Sequence, residues 1–146
     1  MRNIDDLKQQ LITLKVAEPK LRARGLAKKI GISEVELTSL SIGGSVTRLV
    51  GDWKSLLLGM KNIGYMMALT RNEACVHERK GIYDNIKFYG GAHNMGVAVN
   101  PDIDLRFFMN EWEYGLAVEI NRGKVGKLYA FQFFNKRGDS KLNSFR

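Results

Sequence analysis

Apolar residues in the first third of the chain recur every three or four positions. Ile4, Leu7, Leu11 and Leu14 share one helical face, which predicts a helix running to about Ala17. Pro19 breaks it and favours the start of a second helix over 21–30, stopped at Gly31. Ser33 followed three residues later by Glu36 has the form of a capping box, so a third helix carries Val35, Leu37 and Leu40 toward the Gly43-Gly44 turn. Beyond Gly44 the pattern changes. Residues 46–50 form a short strand candidate, and Asp52 is placed to cap a helix over 53–59. Runs rich in β-branched, aromatic or alternating residues then predict strands over 63–70, 74–83, 95–99, 103–108, 114–120 and 127–134. Turn chemistry separates them at Arg71-Asn72-Glu73, Tyr89-Gly90-Gly91, Asn100-Pro101-Asp102 and Asn121-Arg122-Gly123. Helices first and strands second, without βαβ alternation, predict an α+β fold. It would be one domain, with an N-terminal helical part over 1–44 and a largely antiparallel β-sheet over 45–146.

Composition narrows the class. A chain of 146 residues can bury roughly two-thirds of its unfolded surface in one core. Hydrophobic residues make up 45% of it and prolines number two, as in a folded globular protein. No apolar run approaches the roughly 18 residues of a membrane span. The opening MRNIDDLKQQLITLK mixes charges into its apolar positions, unlike a signal peptide. One cysteine, Cys75, excludes an intramolecular disulfide and a cysteine-based zinc cluster. These features describe a cytoplasmic protein. The net charge of +8 is unevenly spread: residues 121–146 hold seven Lys/Arg against one Asp/Glu. This basic tail, from Arg122 to Arg146, either attracts nucleic acid, anionic lipid or a small anion, or is solvated surface.

Residues 26–33 (LAKKIGIS), with Leu37 beyond them, have the pattern of a helix-turn-helix: a small Ala, a Gly at the turn and an apolar anchor. DNA binding is therefore an alternative function. Against it, the second helix would present Glu34 and Glu36 and no Arg or Lys to a polyanion.

Motifs for phosphate loops, His-Glu-x-x-His zinc sites, Gly-x-Ser-x-Gly nucleophiles and covalent haem attachment are all missing. Two histidines are present, His77 and His93. Alternation places Cys75, His77 and Arg79 on one strand face, where His77 can be a metal ligand or a hydrogen-bonded strand residue. In 102–108 (DIDLRFF), Ile103, Leu105 and Phe107 face the core, while Asp102, Asp104, Arg106 and Phe108 face outward. An arginine beside an aromatic suits a flat, apolar, anionic ligand, through a bidentate carboxylate pair and a stacking plane. The alternative is that Arg106 pairs with Asp104 or Asp102 and Phe108 fills a gap.

Three segments, in order, carry a family resemblance: 67–78 (MALTRNEACVHE), 102–112 (DIDLRFFMNEW) and 132–139 (QFFNKRGD), joined by Arg22 to Ala27 and Gly31 to Glu34. Together they resemble the N-terminal repeat of the bacterial hemin-degrading factors, a haem-utilisation family, over nearly the whole chain. The resemblance implies a cytoplasmic protein that receives imported haem in a cleft and either hands it on or degrades it. It places Arg106 and Phe108 in the haem pocket and makes His77 a haem contact and the internal candidate for iron. Family members contain two repeats, and the principal axial histidine belongs to the helix that opens the second. The opening helix of this chain, around Ile4 to Leu14, has no histidine. A homodimer would rebuild the two-repeat cleft; a longer, two-repeat chain is the other expectation, in keeping with the abrupt end at Lys141 to Arg146.

Overall fold

The computed structural model describes residues 2–71, 74–90 and 94–146. The turn assignments at Asn72, Glu73 and Gly91, and His93 with them, lie outside the described residues. The first third folds as its periodicity demands. Helix α1 (Ile4–Ala17) is capped by Asn3, whose side chain accepts from the Asp5 N–H. It lays Leu7, Leu11 and Leu14 on α2 (Ala23–Ile30) and α3 (Glu34–Ser39), around buried Leu26, Ala27, Ile30 and Leu37. Gly31 ends α2 in the left-handed conformation at φ 83°, which a residue with a Cβ adopts only with strain. The capping box forms: Ser33 Oγ accepts from Glu36 N–H at 3.2 Å, and Ser33 N–H donates back to the Glu36 carboxylate at 3.1 Å.

Strand β1 (Val46–Leu49) and helix α4 (Trp53–Gly59), capped by Asp52, lead into the sheets. Next in sequence come β2 (Tyr65–Arg71), β3 (Val76–Ile82), β4 (Ile86–Tyr89), β5 (Met95–Val99) and β6 (Asp104–Phe108). The last three are β7 (Tyr114–Asn121), β8 (Lys127–Phe134) and β9 (Ser140–Phe145). They form a six-stranded sheet, β1-β7-β8-β9-β2-β3, and a three-stranded sheet, β4-β5-β6, with every described pairing of named strands antiparallel. The α+β expectation holds. Two strands escape the sequence pattern, β4 and β9. The second is a correction of substance: the last residues of the segment read as a basic tail form a strand, Ser140–Phe145, in the middle of the larger sheet between β8 and β2.

The main core lies between the two sheets and α4. Phe133 of β8, fully buried, meets Trp53 edge-on (6.1 Å, 79°) and stacks on Trp112 (4.5 Å, 27°). Its neighbour Phe134 points the other way, onto Val35, Val46 and Leu116, so β8 joins the inter-sheet core to the helical side. Full burial of each such side chain stabilises the fold by roughly 1.5–3 kcal/mol. Tyr83, at 0% exposure, places its hydroxyl 2.8 Å from Ser144 Oγ, also fully buried. Burial pushes the Tyr83 hydroxyl up to about 12, against a smaller opposing effect of that hydrogen bond.

Candidate functional site

Period-2 alternation along β6 determines what it offers solvent. Phe107 turns inward, 3% exposed, and packs edge-on against Trp112 at 5.7 Å. Arg106 and Phe108 turn outward, and Phe108 is 56% exposed, far more than a gap-filling ring would be. Arg106 Nη1 sits 3.2 Å from Asp104 Oδ1, with both side chains more than half exposed. An ion pair this open is worth about 0–1 kcal/mol, so a ligand carboxylate can displace Asp104 at little cost.

Both outward residues line a cavity of about 460 Å³, within the usual range of small-molecule sites. Thr70 and Leu142, cross-strand partners in the larger sheet, also line it, and Trp112 adds an indole. The turn between β8 and β9 contributes Arg137 and Asp139, and β9 contributes Lys141. Among the described residues no carboxylate forms an ion pair with Arg137 or Lys141. Among the described residues three cations thus line the cavity, two of them outside any ion pair, against two carboxylates, Glu111 and Asp139.

His77 lies beside this cavity and not among the residues that line it. It pairs across β2–β3 with Thr70 and borders a shallower depression of about 260 Å³, together with Cys75 and Lys141. Thr70 and Lys141 line both spaces, so they stand between His77 and Arg106. The structure therefore brings Arg106 and Phe108 together and leaves His77 next door. Among the described residues no group of three or more His, Cys, Asp and Glu is placed to hold a bare metal ion. Sequence reasoning missed Arg137, Lys141 and Trp112. The signal for the two cations was the charge excess after residue 121.

A buried carboxylate holds this wall in place. Glu34, the first residue of α3, is 6% exposed. It accepts from the Ser140 N–H at 3.2 Å and lies 3.2 Å from Arg24 Nε and 3.9 Å from Arg71 Nη2. Ser140 immediately precedes Lys141 and Leu142, so the helical part fixes the start of the strand that borders the cavity. The same packing removes α3 from service as a recognition helix. Glu34, Val35 and Leu37 are buried, and Glu36 is the one exposed residue of the helix, Thr38 and Ser39 being half-buried. A helix that reads DNA needs a free face carrying cations or amides.

Comparison with known proteins follows the same lines. Residues 31–146 match the family model described as the haemin-degrading HemS.ChuX domain. The chain is 37% identical over 135 residues to the hemin transport protein HmuS of Yersinia pestis, covering 92% of this chain and 38% of that protein. Among solved structures it resembles holo-PhuS, a heme-binding protein from Pseudomonas aeruginosa, with TM-score 0.89 and 36% identity over 99% of this chain and 41% of that one. It also resembles the heme degrading enzyme ChuS of Escherichia coli O157:H7, with TM-score 0.89 and 28% identity over 99% of this chain and 42% of that one. The chain thus spans about two-fifths of the length of these three relatives. Among the described residues, no helix is long and apolar enough to cross a membrane. With its fold shared along its full length and the domain model matched from Gly31 to Arg146, the chain belongs to the haemin-degrading HemS.ChuX domain family.

Proposed function

We propose that this chain is a single haem-utilisation repeat that binds haem in the Arg106–Phe108 cavity and carries it in the cytoplasm of a bacterium that uses haem iron. The observation that carries this reading is the outward pair on β6, set beside two cations that have no ion-pair partner among the described residues. Haem is a flat apolar disc with two propionates at one edge. Phe108 and Trp112 offer aromatic surface to the disc, and Arg106, Arg137 and Lys141 offer charge-assisted hydrogen bonds to the propionates. The residues therefore fit the ligand's periphery. For the iron, His77 is the candidate, provided that haem extends past Thr70 and Lys141 into the adjoining depression. Otherwise the axial ligand comes from a second repeat, or, in a homodimer, from a residue of the partner copy outside its opening helix, which has no histidine.

Degradation is the second reading, favoured by the solved relative that is a heme degrading enzyme. Axial ligation largely sets what haem iron does, and among the described residues no histidine lines the main cavity, which favours carriage over ring cleavage. The deciding experiment loads the purified chain with haemin and adds a reductant in air while recording the absorption spectrum. A Soret band that persists supports the carrier, and loss of the band with release of CO or a biliverdin-type product supports the enzyme. Failure to form a saturable complex with haemin would end both readings.

A further inference from the structure

A second cleft, of about 690 Å³, opens on the opposite face of the six-stranded sheet. Leu116 on its floor pairs with Gln132, whereas Leu142 of the haem cavity pairs with Phe133, the next residue of β8, which points the other way. The chemistry of the two spaces differs. Leu7, Val35 and Leu116, all buried, form an aliphatic floor, and Tyr114 is the one aromatic residue in the lining. Among the described residues no histidine lines it.

Around that floor stand Lys8 of α1, Arg48 of β1 and Lys136 of the β8–β9 turn, brought together from three distant parts of the sequence. Among the described residues none of the three takes part in an ion pair. The single carboxylate in the lining, Glu36, is held by the capping box, where it accepts from Ser33 N–H. Ile4 and Ile42 leave large apolar surface exposed at the rim, 60% and 47% respectively. An apolar trough with unneutralised cations around it is complementary to a molecule with an aliphatic body and an anionic head.

We propose that this cleft is a binding site for an aliphatic carboxylate of the fatty-acid type, separate from the haem cavity and independent of whether haem binds. The acyl chain lies over Leu7, Val35 and Leu116, and the carboxylate meets Arg48 and Lys136. Laurate, kept below its micellar concentration, is the probe, titrated calorimetrically into the purified chain. One site per chain is expected. Affinity falls at least tenfold in the exposed charge-reversal variant Arg48→Glu/Lys136→Glu, and likewise in Ile42→Trp, which fills the trough and keeps its charges. Haemin affinity stays unchanged in both, because the haem cavity is across the sheet. The proposal is overturned if laurate shows no saturable binding, if both variants bind it as the parent does, or if only anionic lipid vesicles are bound.

Discussion

Replacing Glu34 with alanine withdraws one carboxylate from α2, β2 and β9 at once. The loss can be sized from its contacts. Breaking a fully buried ion pair costs about 3–5 kcal/mol, but the side chains of Arg24 and Arg71 keep 32% and 23% of their exposure. Water that reaches both guanidiniums reduces the ionic part to about 1 kcal/mol. The Ser140 N–H is different: the residue is 6% exposed, and its donor loses the carboxylate that accepts from it. An unsatisfied buried donor adds about 1–3 kcal/mol. Together the substitution should destabilise the chain by about 2–4 kcal/mol. Glu34→Gln keeps an acceptor for Ser140 and loses only the charge, so its cost should be about half as large. Urea unfolding followed by the fluorescence of Trp53 and Trp112 reads both values directly. The alanine variant should also bind haemin more weakly, because Ser140 sets the start of the strand that carries Lys141 and Leu142. A midpoint within experimental error of the parent, with haemin affinity unaltered, would refute the idea that this carboxylate locks the cavity wall to the helices.

Other expectations follow from single contacts. Tyr83 ionises more easily unfolded than folded, so its contribution is fully present below pH 10 and is lost as pH rises toward 12, by roughly 3 kcal/mol. Urea midpoints measured from pH 9 upward should fall, and Tyr83→Phe should flatten that decline while costing about 1–3 kcal/mol at neutral pH for the orphaned Ser144 hydroxyl. Gly138→Ala should lower the melting temperature, since Gly138 has φ 83° and an added Cβ would meet Ser33 Oγ at 2.5 Å; an unchanged melting temperature would show that this turn repacks freely. His77→Ala should alter the ferric haem spectrum while leaving most of the affinity, and an identical spectrum would assign the iron to another ligand.

The parts of this molecule that were legible in the sequence are those whose reasons are local. The Ser33–Glu36 box, the Asp52 cap, the three-and-four spacing of Leu7, Leu11 and Leu14, and the alternation through Phe107 each depend on residues a few positions apart. Strand β9 has no such signature. Its sequence, SKLNSF, has low β-propensity and buries Ser140, Asn143 and Ser144. What makes it a central strand is partnership at long range: Glu34 accepts from Ser140 N–H, and the Tyr83 hydroxyl meets Ser144. With β9 read as part of a tail, Arg137 and Lys141 belonged to a general charge excess with no place in a site, although the hairpin folds both against the Arg106 cavity. Strand β4, four residues long, was too short to show a period.

The central claim is that haem is held by the cations around Phe108. Equilibrium haemin titration of the parent beside an Arg106→Ala/Arg137→Ala/Lys141→Ala variant tests it most directly. All three side chains are exposed or at the cavity wall, so the variant should fold normally by circular dichroism. The parent should bind saturably and the variant should lose at least tenfold in affinity, about 1.4 kcal/mol or more. Equal affinity in a folded variant would contradict the claim and place the haem site elsewhere.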